Sequence, residues 1–449
     1  MIRQVKKYPV PDVKSFFRKL LFYGINAEKF CLLNSNRSKN LPADKYSSYD
    51  VLAGVGSIEE LNTGNDSFVS LQKFHEEKCD WLFGFFSYDL KNEANKLTSS
   101  NYDGLDFPGI HFFRPQYVIA LRGNECEILF DPQLDNEKSA DKLFDEIISE
   151  KNKVEEKYFF EGNIEIKQRV SRDSYLEVVK NILAHIQRGD VYELNYCQEF
   201  YSNDAVINPA ETYLLLNDFS PMPFSCFYRL GKKYLMCASP ERFLKKSGGK
   251  IIAQPIKGTI ARGKNETEDF LQKEKLLNDE KERAENVMIV DLVRNDLSRT
   301  AKKNSVHVEE LFGIYSFPNL HQMISTVVSE IRSDIQWTDV IRYAFPMGSM
   351  TGAPKIRAMQ LIEQYEKTKR GLFSGSVGYI TPNEDFDFNV VIRSALYDAE
   401  RKYLSFIAGS AITAKSNPEK EYEECLLKAS AFFKIFSGDR EKAKSFVNA

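Results

Sequence analysis

Carboxylates at helical spacing are the first residues in this sequence that could do chemistry. Glu282 and Glu285 stand three apart within DEKERAENVMIVDLVRNDL (279–297). That spacing puts both on one face of a helix. Glu421 and Glu424 repeat it in PEKEYEECLLK (418–428), and Lys428 lies one turn further along the same face. Two helices that each offer two carboxylates suit a hard ion such as Mg2+, with two binding directly and two through its waters. Acidic pairs also decorate solvated helix faces, so spacing alone leaves both readings open.

Other short segments carry chemical potential of a different kind. Lys257 lies in AQPIKGTIARG (253–263), between a strand and a glycine turn. A Lys in an apolar pocket loses basicity and can become a nucleophile; the alternative is a surface Lys whose stem covers apolar neighbours. Arg393 ends the apolar run VVIR, and a buried Arg wants a carboxylate partner, from a ligand or from the fold. AGSAI (408–412) follows a strand, where small residues allow either close approach to a ligand or a tight packing site. GSMTGAPK (348–355) is not a phosphate loop: three residues separate its glycines, and Ala353-Pro354 precede Lys355. Pro354 suits the start of a helix, whose free N–H groups could attract a carboxylate.

The elements that must position these residues follow from periodicity. WLFGFFSYDL (81–90) and QYVIALRG (116–123) read as buried strands. Residues 136–157 form a charged amphipathic helix that separates a region 1–160 from a region 170–435. Residues 172–190 are a helix closed by Gly189, and 191–200 a strand. Residues 233–263 hold two or three strands around the SPER turn, and 266–299 a long helix or helix pair. Residues 377–382, 386–398 and 403–413 are strands; 418–436 is a closing helix. Blocks of strands and helices make the class α+β.

Composition narrows the function. The 449 residues suggest about three domains or two large ones. The formal charge of −3 argues against a dedicated nucleic-acid binder. Seven cysteines without a C-x-x-C motif argue against a disulfide framework or zinc knuckle. Five histidines, none spaced for a shared metal, leave carboxylates as the ligands for any ion. No run approaches the roughly 18 apolar residues of a membrane span, and no signal peptide is evident. The expectation is a soluble, reduced, cytoplasmic protein with no nucleic-acid or membrane partner.

Taken together the segments resemble one family, the chorismate-utilising enzymes, which includes the components I of anthranilate synthase and aminodeoxychorismate synthase. The segments are SPERF (239–243), PIKGT-x-x-RG (255–263), the 279–297 helix, GSMTGAPK-x-R-A-M (348–359), SGSVGYI (374–380), VVIRSA (390–395), AGSAI and P-x-x-E-Y-x-E-x-x-x-K (418–428). They occur in the family's order. The resemblance implies a large fold of face-to-face β-sheets with outer helices, in which the N- and C-terminal portions intermix. It implies Mg2+ bound by Glu285 and Glu424, with Glu282 and Glu421 acting through waters. The ion would hold the ring carboxylate of chorismate, beside Lys428. Arg393 and the backbone at Gly409 would hold the enolpyruvyl carboxylate, Thr259 would contact substrate, and Glu241 would be the acid/base group at the C4 hydroxyl.

Lys257 discriminates within the family. PIKGT resembles the aminodeoxychorismate branch, whereas anthranilate synthases resemble PIAGT. The implied mechanism is attack by the Lys257 amine at C2, loss of the C4 hydroxyl, and addition of ammonia at C4. The ammonia would come from glutamine through a separate glutaminase subunit. Four positions depart from other branches. Glu193 stands where water-adding relatives have Lys and aminating relatives usually have Gln. Phe373 replaces a substrate-contacting Tyr. Gln322 replaces the His of relatives that eliminate pyruvate, with His321 displaced by one residue. Asn34, in FCLLNSN (30–36), replaces the Glu of feedback-regulated relatives. Anthranilate synthase component I and a catalytically silent chorismate-fold binding subunit are the competing readings.

Overall fold

Side-chain alternation along the strands sets the layering. In the strand Lys29–Asn34, Phe30 and Leu32 enter one core while Cys31 enters another. Successive residues of a strand point to opposite faces, so one strand serves two cores. The computed structural model describes residues 2–37, 41–42, 44–149 and 164–436. Within them the chain builds a twelve-stranded and a ten-stranded sheet, both with antiparallel ladders.

One face of the larger sheet packs on the helices Val13–Gly24, Glu137–Ile148, Arg172–Gln187, Pro209–Phe219 and Pro418–Phe436. Its other face, through Cys31, Leu52, Val118 and Leu235, meets the smaller sheet through Phe83, Phe85, Phe113 and Leu244. The result is the α+β arrangement of face-to-face sheets and outer helices expected from the sequence. Strands from both ends of the chain interleave. Lys29–Asn34 pairs with Phe224–Leu230, and Leu82–Phe86 pairs with Ser376–Ile380. The first of these pairings puts Asn34 opposite Ser225. There Asn36 donates to Asn217 Oδ1 at 2.7 Å and to the Met222 carbonyl at 2.8 Å, a buried amide network.

Several expected elements differ in detail. The charged helix runs over Glu137–Ile148, and residues 150–157 of the expected span lie outside the described residues. Residues 233–263 hold four strands rather than two or three. The 266–299 segment takes the second of its two expected forms, a helix pair, Glu266–Leu277 and Glu280–Ser298, because Asp279 caps the second helix through Glu282 N. The expected single strand 386–398 is two. Phe386–Asn389 belongs to the smaller sheet and Ser394–Asp398 to the larger. Both halves are apolar because both are buried, so hydrophobicity hides the crossing. Arg393, with φ of 52°, sits at that crossing and not at a strand end.

One buried ion pair ties the larger sheet to the turn Gly348–Met350. Arg370 Nη2 lies 2.6 Å from Glu366 Oε1, with side chains 1% and 4% exposed. Arg370 also donates to the carbonyls of Asn195 at 2.8 Å and Met350 at 2.6 Å, and Glu366 accepts from Cys197 N at 2.9 Å. Removing one member of such a pair strands the other charge. Arg370→Met is expected to cost about 3–5 kcal/mol in urea denaturation. Adding Glu366→Met should recover part of the loss. An unchanged denaturation midpoint in the single variant would contradict this role.

Candidate active site

The residues singled out in the sequence come together where two strands lie at the margins of their sheets. Ile256–Ala261 is the edge strand of the smaller sheet. Glu193–Ser202 lies near the margin of the larger sheet, between Tyr403–Thr413 and the short strand Gly352–Ala353. The helices Glu280–Ser298 and Pro418–Phe436 complete the cleft. Gly352 is required there, since a Cβ would stand 2.1 Å from the Glu193 carbonyl oxygen. Gly409 is required likewise, since its Cβ would lie 2.0 Å from the Tyr196 carbonyl oxygen.

Lys257 occupies this cleft, but not in the apolar pocket the sequence suggested. Its Nζ donates to Glu193 Oε1 at 2.5 Å, and the two side chains are 12% and 1% exposed. Burial disfavours the ammonium, yet Glu193, Glu285 and Glu241 outweigh burial and hold the Lys257 pKa above its ordinary value. The sequence showed Glu193 as a family departure and gave no sign that it would touch Lys257. That contact joins strands of two sheets, 64 residues apart. Glu282 belongs to the same neighbourhood: its Oε2 lies 3.3 Å from where a Cβ on Gly258 would be.

The four metal-candidate glutamates surround a second lysine. Lys281 stands 3.7 Å from Glu285 Oε1, and burial of its ammonium is outweighed by Glu285, Glu421, Glu282 and Glu424. Its i,i+4 spacing to Glu285 was a readable sequence signal. Burial pushes the Glu285 carboxyl up to about 7, with Lys257 opposing and Glu193 adding to the rise. Burial likewise raises Glu282 against the pull of Lys281. For Glu424 burial pushes upward, but Lys428 at 2.6 Å outweighs it and the net shift is down. Glu421 is buried and accepts from Ser410 Oγ at 2.6 Å. Among the described residues no three such groups close on a common metal position. The set still suits a hard cation. Glu285 Oε1 is buried without a hydrogen-bond partner, and six carboxylates face Lys257, Lys281, Lys428 and Arg393. With Glu241 holding its proton and the other five ionised, negative charge still exceeds the four cations, and a bound cation offsets that surplus.

The anion-binding candidates are equally distinct. Arg393 has a pKa lowered by burial, which Glu424 only partly opposes. Among the described residues its guanidinium has no hydrogen-bond or ion-pair partner, so the fold supplies no structural carboxylate for it. Lys428 donates to the Gly409 carbonyl at 3.0 Å as well as facing Glu424. Thr259 is exposed, opposite Gln322, and makes no side-chain hydrogen bond among the described residues. Gln322 has a buried amide oxygen without a partner. His321, one residue earlier, is bound instead to Ser316 Oγ and Asp269 Oδ1, both at 2.9 Å.

Glu241 is fully enclosed. It accepts from Ser349 Oγ at 2.7 Å, which gives GSMTGAPK a place in the cleft that phosphate-loop logic could not assign. Burial pushes the Glu241 carboxyl up to about 7, against the opposing pull of Ser349 and Lys257. A raised carboxyl pKa means that the folded protein holds a proton the unfolded chain has lost. The stability from that proton is full below the ordinary value of 4.5 and is lost as pH rises to about 7. Glu241→Gln keeps an acceptor for Ser349. Its stability relative to the parent should therefore improve between about pH 5 and about pH 8 in urea titrations. A constant difference across that range would contradict a protonated Glu241.

Comparison with known proteins bears on this geometry. The family described as chorismate binding enzyme matches residues 30–434. A probable aminodeoxychorismate synthase of Oryza sativa is 42% identical over 269 residues, 59% of this chain and 30% of the relative. Aminodeoxychorismate synthase component 1 of Escherichia coli is 38% identical over 271 residues, 60% of this chain and 58% of the relative. Anthranilate synthase component 1 of Aquifex aeolicus is also 38% identical, over 268 residues, 60% of this chain and 54% of the relative. The matched part thus spans 30% of the plant relative and little more than half of the bacterial ones. The fold is that of anthranilate synthase component I from Streptococcus pneumoniae, with a TM-score of 0.74 at 22% identity, covering 87% of this chain and 93% of that one. With a cleft of carboxylates and lysines built from the matched segments, this chain belongs to the chorismate binding enzyme family.

Proposed function

We propose that the chain is component I of an aminodeoxychorismate synthase, converting chorismate and ammonia to 4-amino-4-deoxychorismate, a precursor of p-aminobenzoate and folate. The observation that carries this reading is Lys257, held in the cleft by Glu193 and in the electrostatic field of Glu241 and Glu285. Arg393, a half-buried cation with no hydrogen-bond or ion-pair partner among the described residues, receives the enolpyruvyl carboxylate, beside the backbone of Gly409. Thr259 is assigned a substrate contact at the exposed rim. Lys257 attacks C2, the ring double bonds shift, and the C4 hydroxyl leaves as water with the proton of Glu241. Ammonia then bonds at C4 and Lys257 departs, so one awkward displacement becomes two allylic ones.

Glu285 and Glu424, with Glu282 and Glu421 through waters, would hold Mg2+, which when bound neutralises the carboxylates and binds the ring carboxylate of the substrate beside Lys428. A glutaminase partner supplies the ammonia; relatives named component 1 support a second component. The reading includes the cytoplasmic location expected from the sequence. Among the described residues no helix is long and apolar enough to cross a membrane. Gln322, in place of the His of pyruvate-eliminating relatives, supports a reaction that stops at the amino-deoxy product.

Product analysis with chorismate, Mg2+ and ammonium tests the reading. The expected product is 4-amino-4-deoxychorismate, with pyruvate appearing only after a separate lyase is added. Anthranilate and stoichiometric pyruvate would instead identify an anthranilate synthase; no turnover at all would favour a silent binding subunit. Chelator should abolish activity and Mg2+ restore it, and Glu285→Gln or Glu424→Gln should remove it. Activity that persists in excess chelator would sink the carboxylate assignment. Lys257→Ala should lower kcat by about 100-fold or more while the chorismate KM changes little, the pattern of a group acting in the transition state.

A further inference from the structure

We infer that Glu193 is the positioning and proton-accepting partner of Lys257: it fixes the lysine nitrogen in the cleft and takes its proton as that nitrogen attacks. The inference rests on the reaction proposed above and adds a residue to it. A nucleophile in hydrogen-bond contact with a base that is itself fixed is the arrangement that activates a weak nucleophile. Three observations give Glu193 this place.

First, the contact is close and dry. Nζ and Oε1 are 2.5 Å apart, and the carboxylate side chain is 1% exposed. A pair this enclosed differs from a surface salt bridge, where water competes for both partners. Second, the backbone that carries Glu193 is held from both sides. Its register partners are Thr413 on one strand and Ala353 on the other. The missing Cβ of Gly352 lets that second strand close onto the Glu193 carbonyl. Third, Glu193 Oε2 is buried with no hydrogen-bond partner. Protonating this carboxylate therefore breaks no second hydrogen bond.

The other carboxylates around Lys257 are differently engaged. Glu241 is bound by Ser349. Glu285 lies beside Lys281, and Glu282 and Glu424 feel Lys257 only through space. Only Glu193 touches Nζ among the described residues. Lys257 begins as an ammonium, and one proton passes from Nζ to Glu193 Oε1. The freed electron pair forms the Nζ–C2 bond, the two ring double bonds shift, and the C4–O bond breaks. The hydroxide takes the proton of Glu241 and leaves as water. In the second half ammonia bonds at C4, the C2–Nζ bond breaks, and Lys257 recovers its pair and then its proton from Glu193. The new C4 ammonium returns a proton to Glu241.

The test is the rate at which chorismate with Mg2+, without ammonia, forms an adduct on Lys257, read by mass spectrometry of quenched protein. Glu193→Gln keeps an acceptor for Nζ but cannot take its proton. It is expected to slow adduct formation about 100-fold at neutral pH. The chorismate KM should stay nearly constant. The residual rate should rise with pH up to about 7, because the proton then goes to solvent, and level off above that as Glu241, pushed up to about 7, loses the proton the leaving hydroxyl needs. Glu193→Asp should retain part of the rate, and Glu193→Ala should be partly rescued by formate. A Gln variant as fast as the parent, or faster, would overturn the inference. So would a loss that neither raised pH, nor Asp, nor formate repairs, since that is the pattern of a structural role. A parent protein that makes 4-amino-4-deoxychorismate without any Lys257 adduct would overturn this inference and leave the reaction standing. A parent that makes no such product would overturn the reaction itself.

Discussion

The cleft depends on a pair that touches none of its reactive groups. Arg370 and Glu366 are both out of water, where a charge is stable only with its partner and further hydrogen bonds in place. They satisfy this by gripping backbone. Arg370 holds Asn195 and Met350, and Glu366 holds the N–H of Cys197. Glu193 lies two residues before Asn195, and Ser349 one residue before Met350. Two of the three carboxylates nearest Lys257 thus take their places from this pair, Glu193 through its strand and Glu241 through Ser349. A buried ion pair is weak support for stability in general. Here its geometric consequence is clear, because three chain segments share one fixed point.

The second constraint is charge. Glutamates from two helices, a strand and the SPERF turn converge on one cleft, and like charges at short range drive one another's pKa upward. Lysines moderate this. Lys257 faces Glu193, Glu241 and Glu285; Lys281 faces Glu282, Glu285, Glu421 and Glu424; Lys428 takes one side of Glu424. Glu285 is shared between the first two groups, which explains why both lysines oppose its rise. Arg393 stands apart with only distant attraction to Glu424. The cleft therefore has an acidic side fit for cations and a cationic corner fit for a carboxylate.

Much of this was legible in the residues. Apolar runs located about half of the strands, and three-residue spacing placed Glu282 with Glu285 and Glu421 with Glu424 on shared faces. Ordered motifs tied those faces to one family. What failed did so for physical reasons. The apolar run 386–398 reads as one strand because burial on both sides of a crossing looks the same as burial within a sheet. Lys257 reads as a candidate for an apolar pocket because its sequence neighbours are apolar, whereas its spatial neighbours are glutamates from distant segments. Ser349 reads as part of a glycine loop, and its bond to Glu241 depends on tertiary closure. Sequence spacing reports local faces, while partners across sheets have no spacing to read.

The environment of Lys257 sets opposing demands on the proposed chemistry. A nucleophilic amine must lose its proton, yet the carboxylates around it favour the ammonium over the amine. A lysine in an apolar pocket would escape this conflict by being neutral at rest, at the cost of losing its anchor. Here the anchor and the inhibition are one contact, the bond to Glu193. The proposed reaction resolves the conflict if the same carboxylate that raises the basicity of Lys257 also receives the proton. Proton transfer between Nζ and Oε1 converts an ion pair to a neutral pair, which a dry site tolerates better than exposed water does. Burial then favours the reactive state once the surrounding negative charge is compensated. The enclosure of Glu193, which makes the resting pair tight, is thus the property that makes its neutral form accessible.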